Sequence, residues 1–346
     1  MSTASVPLPN WINYALLPLI NLILAFLVSG LVVWVIGESP YEALKLMLQG
    51  ALGRGEGIGF TLYYATNFIF AGLSVAVAYH AGLFNIGSEG QAYVGGLGAA
   101  LVALALDHYV PWYVTMPFAV IGAALFGAAW AFIPAWLQAK RGSHIVITTI
   151  MFNFIGAALM VYLLVNVLIV PGKMAPETRT FLPGGQLPKL DWLMAMFGMK
   201  LGPAPFNVSF LIALVMCVLV WVLIWRTKLG YEMRTMGISR SAAAYAGIPY
   251  VKIVIVTMLI SGGLAGMMAL NPVMGASARL QVEFVGGAGF VGIAVSLMGR
   301  NHPIGIVLAS ILFGVLYQGG AELSFDMPNI TRDMIVVIQG LVILFA

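Results

Sequence analysis

The sequence predicts an all-α protein, a polytopic transmembrane bundle of about ten helices. Its mean hydropathy is +1.00. Only 8% of its 346 residues are charged, against roughly 25% in an ordinary soluble domain. Its apolar runs, of which residues 16–36 are one, reach the ~20 residues that carry a helix across the hydrocarbon core. Unpaired peptide groups cost several kcal/mol each in lipid, so spanning segments must be helices or strands of a closed barrel. These runs are continuous and lack the period-two alternation of barrel strands.

In chain order the apolar segments fall at 16–36, 61–79, 90–106, 112–137, 145–170, 208–225, 253–271, 285–299, 304–318 and 331–346. The third and eighth are short and glycine-rich. Such segments stop inside the membrane, line a cavity or simply pack closely. Residues 37–57 between the first two read as a short interfacial helix. Ser39 caps it, Pro40 suits its first turn and Glu42 stands at capping-box spacing. The pair Gly262 and Gly266 has the spacing of close helix packing.

Residues 172–207 form the longest polar excursion, and their prolines and glycines argue against one long helix. They are an external cap, a docking surface or a plain connection. On the opposite side lies 226–252, carrying Arg226, Lys228, Arg234, Arg240 and Lys252 against Glu232. Its "SRSAAAYAG" reads as a short helix with Ser239 as cap, ended by Gly247 and Pro249. One or two surface helices joined at Gly237 are expected, for a partner to grip or merely to set topology. Basic density is higher on this side, which places it and both chain termini in the cytoplasm by the positive-inside rule.

Several function classes are disfavoured. Sixteen basic residues spread over so apolar a chain serve topology rather than nucleic-acid binding. No phosphate-binding loop and no nucleophile elbow occurs. His80, His108, His144 and His302 are scattered near segment ends, without metal-ligand spacing. Cys217 is a small buried hydrophobe. No metal or cofactor is expected of this chain, and it is not expected to be an enzyme.

One stretch stands apart. "HAGLFNIGSEGQAYVGGLGAA", residues 80–100, sets Asn85, Ser88, Glu89 and Gln91 among glycines and alanines. Polar groups at membrane depth are costly and usually face a bundle interior or water-filled cavity. Either the backbone breaks near mid-depth beside a polar solute, or a turn precedes a helix with Glu89 in its favourable first turn. Residues 286–314 loosely echo 81–106, as a repeated broken element would.

Together "GLFNIGSEGQ", "TTIMFNFIG", "TKLGYEMRTMGISRSAAAYAGI" and "GIAVSLMGRNHPIGIVLASILFG" resemble, in order, the permease subunits of bacterial ABC importers. The nearest branch is the simple-sugar and nucleoside group, related to ribose and branched-chain amino-acid permeases. The resemblance covers most of the chain after about residue 60. It implies a type II importer-like domain over 1–346, with 172–207 periplasmic and 226–252 cytoplasmic, in a bacterial inner membrane. It further implies a second permease (a related chain or a second copy), ABC ATPase subunits and an external substrate-binding protein.

Gly230, Tyr231, Arg234, Gly237, Ala246 and Gly247 match the family's ATPase-coupling pattern. Asn85, Ser88, Glu89, Gln91 and Asn153 become candidates for the substrate path or for the fold around it. Val291 departs from the pattern, since a polar residue is expected after Phe290 in this branch. The implied cargo is a small neutral polar solute, nucleosides first and simple sugars such as ribose second. The rival class is an ion-coupled secondary transporter, which would place acidic residues at span centres.

Overall fold

A computed structural model describes residues 16–327 and 329–345. The expected positions of the two chain ends fall on residues outside that set. Each of the ten apolar segments contains a helix: α1 (Leu17–Val35), α3 (Gly55–His80), α4 (Ser88–Leu106), α5 (Trp112–Trp136), α6 (Ile145–Asn166), α8 (Ser209–Arg226), α11 (Tyr250–Met267), α12 (Ala288–Met298), α13 (Pro303–Asp326) and α14 (Arg332–Phe345). Four further helices are short: α2 (Pro40–Leu52), α7 (Asp191–Ala195), α9 (Lys228–Ile238) and α10 (Arg240–Tyr245).

Among the described residues, seven helices are each long and apolar enough to cross a membrane, and α1 with α2 form a pair bent by 117°. This is a multi-pass membrane protein. Helix α12 has 11 residues and, at about 1.5 Å per residue, covers only half of a ~30 Å hydrocarbon core.

Local signals set many boundaries. The Ser39 hydroxyl accepts from the Glu42 amide at 3.4 Å and starts α2. Ser239 caps α10 through the Ala242 amide at 3.3 Å, and Gly247 takes the left-handed turn, φ +74°, that follows it. The join between α9 and α10 falls at Ser239 rather than at Gly237. Gly237 lies within α9 and packs against the His80 carbonyl and Gly82, where a Cβ would collide.

The centre of the bundle is α3, α4, α5 and α11, packed through small residues. Gly95 meets Gly266, and Gly127 meets Gly262 and Gly266, backbone to backbone. Without a hydrophobic drive between helices in lipid, this close dispersion contact holds the bundle together. Residues 172–207 hold a 3-10 turn at Pro183–Gly185 and α7 but no long helix, as their prolines and glycines predict. They fold over one end of the bundle. There the Arg179 guanidinium grips Asp107 in a two-pronged ion pair at 2.7 and 2.8 Å. Helices α9 and α10 cover the opposite end.

Candidate functional site

Two helices begin inside the bundle. Ser88, the first residue of α4, lies 3.2 Å from Ser74, and Ser74 lies 3.1 Å from Ser261. Ser74 sits about 9 Å from the end of α3, and Ser261 about 17 Å from the start of α11, at 1.5 Å per residue. Helix α4 therefore starts near mid-depth, and residues 81–87 climb to it from the 226–252 end. From there α4 runs to the opposite end, where Asp107 follows it.

Helix α12 mirrors this arrangement. Residues 278–281 are tied to the 172–207 cap: the Phe181 amide donates to the Ala278 carbonyl at 2.7 Å, Leu280 donates to the Thr178 hydroxyl at 3.0 Å, and Arg279 pairs with Glu177 at 2.7 Å. Residues 282–287 then descend without helix, and α12 continues to the 226–252 end. At its far end the Asn301 carbonyl lies 3.0 Å from the His80 ring nitrogen Nε2. The echo between 81–106 and 286–314 is thus a pair of half-depth starts running in opposite directions.

The two starts meet at Glu89. Its Oε1 accepts from the Gly287 amide and its Oε2 from the Gly289 amide, both at 2.8 Å. These are orphan donors of the first turn of α12, and a carboxylate there opposes the positive end of the helix dipole. Gly289 must be glycine on packing grounds, because a Cβ would strike the Glu89 backbone.

The start of α4 is closed by neutral groups. Asn85 donates to Gln91 Oε1 at 2.9 Å and to Ser261 Oγ at 2.8 Å. Its own oxygen accepts from the Gly87 amide at 2.9 Å and the Gln91 side chain at 3.2 Å. Asn153, from α6, accepts from the Gly90 amide and donates to the Ile86 carbonyl, both at 2.8 Å. Asn85, Ser88, Glu89, Gln91 and Asn153 are all buried. The structure brings the five together around the α4 start, with their polar atoms turned into the protein. Ser74 and Ser261, which complete the network, were missed by sequence reasoning; their signal was a small-residue run such as "SGG" at 261–263.

The open surface lies on the α12 side. Glu283, Gly286 and Phe290 are exposed, the last by 45%. Glu283 has φ +59°, a left-handed conformation uncommon outside glycine. Beside it the Phe284 ring sits over Gly96 and edge-on to Tyr93, centroids 5.4 Å apart. No sequence pattern marked Glu283.

At the 226–252 end, Gly230 packs on the Leu223 and Ile224 carbonyls and donates to the Thr227 hydroxyl at 3.1 Å. Tyr231, Ala246 and Gly247 are exposed, as are Ile238 by 87% and Tyr245 by 97%. Arg234 and Gly237 line a recess of about 540 Å³ with Tyr79, His80 and Phe84. The Arg234 Nε is buried and makes no hydrogen bond among the described residues.

A membrane bundle whose interior is broken at mid-depth, with α9 and α10 at one end, suits a transport permease. Residues 57–346 match the family described as the permease component of branched-chain amino acid transport systems, and the chain belongs to that family. It is similar to the guanosine ABC transporter permease protein NupP of Bacillus subtilis, 33% identical over 340 residues, covering 96% of this chain and 93% of NupP. It is 31% identical to the nucleoside ABC transporter permease protein NupB of Lactococcus lactis subsp. cremoris, over 97% of this chain and 91% of NupB. It is equally identical, at 31%, to the glucose ABC transporter permease protein TsgB13 of Haloferax volcanii, over 97% and 88%. Each organism carries a second, more distant relative bearing the same transporter's name, at 24%, 27% and 26% respectively. The chain is therefore an ABC transporter permease subunit rather than an enzyme.

Proposed function

We propose that this chain forms the membrane path of an ATP-driven importer of neutral polar solutes, nucleosides first. The observation that carries the path is the unwound segment 282–287, with Glu283 and Gly286 exposed. Irregular backbone at membrane depth is tolerated only within protein or against water. This face therefore looks onto a water-filled route, closed on its other side by a second permease. A second permease relative named for the same transporter in each of the three organisms supports that partner.

Two features favour a neutral cargo. The positive end of α12 is already met by Glu89. No Lys or Arg lies in the interior of a spanning helix, so nothing at depth awaits an anion. Among neutral solutes, the full-length similarity to NupP and NupB favours nucleosides, and TsgB13 keeps a sugar as the alternative. Asn85, Ser88, Gln91 and Asn153 hold the break beside the route, and Glu89 holds its facing wall.

Exposed Tyr231, Ile238 and Tyr245, beside an Arg234 whose Nε lacks an acceptor among the described residues, make α9 and α10 a surface for an ABC ATPase. On this reading 226–252 lies in the cytoplasm and 172–207 outside, toward a solute-binding protein. The membrane is the bacterial inner membrane, and both chain ends lie in the cytoplasm. Movement of α9 reaches the break directly, through Gly237 against His80 and Gly82.

The test is purification in mild detergent, with identification of co-purifying chains, then reconstitution with them. Nucleoside uptake that requires ATP and resists competing glucose is expected. Glucose uptake without nucleoside uptake would replace the cargo; a chain transporting alone would overturn the importer reading. Ile238→Asp is expected to release the ATPase without loss of membrane insertion, and retained ATPase would remove the coupling assignment.

A further inference from the structure

We infer that Glu283 and Phe290 form a solute-contact pair on this route. The carboxylate accepts hydrogen bonds from hydroxyl or N–H donors of the solute, and the ring packs against its planar part. The inference rests on the importer reading above and names the residues that select the cargo.

Depth comes first. Glu283 sits between Leu280, which is bonded to the outer cap, and Gly287, which is bonded to Glu89. Its neighbour Phe284 packs on α4 at Gly96 and Tyr93. Gly96 lies seven residues beyond Glu89, or about 10 Å along the helix. Glu283 is thus inside the span, outward of the mid-depth clamp.

A carboxylate exposed at that depth is costly against lipid and acceptable only against water or a partner group. Unlike Glu89, both of whose oxygens are occupied by backbone amides, Glu283 makes no ion pair with Lys or Arg and no side-chain hydrogen bond among the described residues. Of the two mid-route carboxylates, one is spent on the fold and one is free for a ligand.

The backbone is the second observation. Left-handed φ at a bulky residue costs on the order of 1–3 kcal/mol and persists where surrounding structure imposes it, often at ligand sites. Glycine would occupy φ +59° at no steric cost. A glutamate here is explained by what its side chain does.

The third is an exposed ring on the same segment. Phe290, two residues into α12, exposes nearly half its surface. An unpaired carboxylate outward of the clamp and an exposed aromatic ring at the start of α12 suit a solute with hydroxyl or N–H donors and a flat ring, as a nucleoside has. A sugar without a base would use the carboxylate alone.

The experiment compares uptake of guanosine, 2′-deoxyguanosine and glucose by the reconstituted complex carrying wild-type chain, Glu283→Gln, Glu283→Gly or Phe290→Leu. Glu283→Gln is expected to lower guanosine uptake at least tenfold and to change the ratio between guanosine and its deoxy analogue, with complex assembly unaltered. Glu283→Gly separates side chain from backbone. It relieves the left-handed strain, yet is expected to lose guanosine uptake as Glu283→Gln does. Phe290→Leu is expected to weaken guanosine and spare any glucose uptake.

A Glu283→Gly complex that transports guanosine at the wild-type rate, or a Glu283→Gln complex with unchanged rate and ratio, would overturn the pair. Absence of nucleoside uptake in the wild-type complex would instead remove the cargo reading, a distinguishable failure.

Discussion

Two helix starts meet at mid-depth and are finished differently. The α4 start is sealed by neutral amides and hydroxyls, Asn85, Gln91, Asn153 and Ser261, each pairing with another buried group. The α12 start is held by one carboxylate, Glu89, and keeps a side open at Glu283, Gly286 and Phe290. Neutral amides can both donate and accept, so they close a site on themselves. A carboxylate only accepts, so it suits a wall whose donors are all helix amides. The sealed start is closed on itself, and the clamped one leaves exposed the side that we assign to the route.

The largest expected effect that separates them is Glu89→Ala. It leaves two amides at the start of α12, the buried one of Gly289 and the half-buried one of Gly287, without acceptors, at roughly 1–3 kcal/mol each, so a loss of about 4 kcal/mol in complex stability is expected. Glu89→Gln keeps one acceptor and is expected to lose about half as much. Thermal unfolding of the purified complex decides this, and equal melting of all three proteins would show that the clamp holds nothing.

Gly266→Val attacks the small-residue packing that both starts lean on, because its side chain would meet the Ala123 carbonyl. Overpacking of this kind costs about 1–3 kcal/mol and is expected to reduce the amount of folded chain recovered from membranes. Asn153→Ala tests the sealed start alone. It frees the Gly90 amide and the Ile86 carbonyl, for a loss of about 2 kcal/mol. If uptake selectivity also changed in this variant, the sealed start would have to be moved onto the route.

The smallest expected effect lies outside the membrane, where the far end of α4 is anchored. Burial of Asp107 opposes its ionisation, but hydrogen bonds from Arg179 and the Leu182 amide outweigh that and hold the carboxyl below its ordinary range. A carboxyl depressed on folding adds stability that is full above its unfolded value, near 3.8, and is lost as pH falls through the lower folded value. Melting measured from pH 6 downward is expected to show an acid limb there that is reduced in Asp107→Asn. An unchanged limb would assign it to other carboxyls.

Much of this was readable from the chain. Every apolar segment contains a helix because backbone in lipid must satisfy its own hydrogen bonds. Ser39 and Ser239 cap as their spacing predicts, since a cap is local. The stretch at 80–100 announced itself, because polar groups among glycines are conspicuous in so apolar a chain. Glu283 did not, because its left-handed φ and its exposure depend on being pulled between Thr178 and Glu89, a hundred or more residues away.

Composition and periodicity determined a helical membrane protein with one basic end, because bilayer energetics act residue by residue. Four ordered motifs placed it among importer permeases. Only the tertiary structure decided which polar residues are spent on the fold and which remain free. Asn85, Ser88, Gln91 and Asn153 share the chemistry of a solute-binding lining, yet Ser88 pairs with Ser74 on α3, Asn85 with Ser261 on α11 and with Gln91, and Asn153 reaches from α6 to the Gly90 amide and the Ile86 carbonyl. Whether a polar atom is satisfied depends on what stands within 3 Å of it, and that is fixed by packing between distant segments.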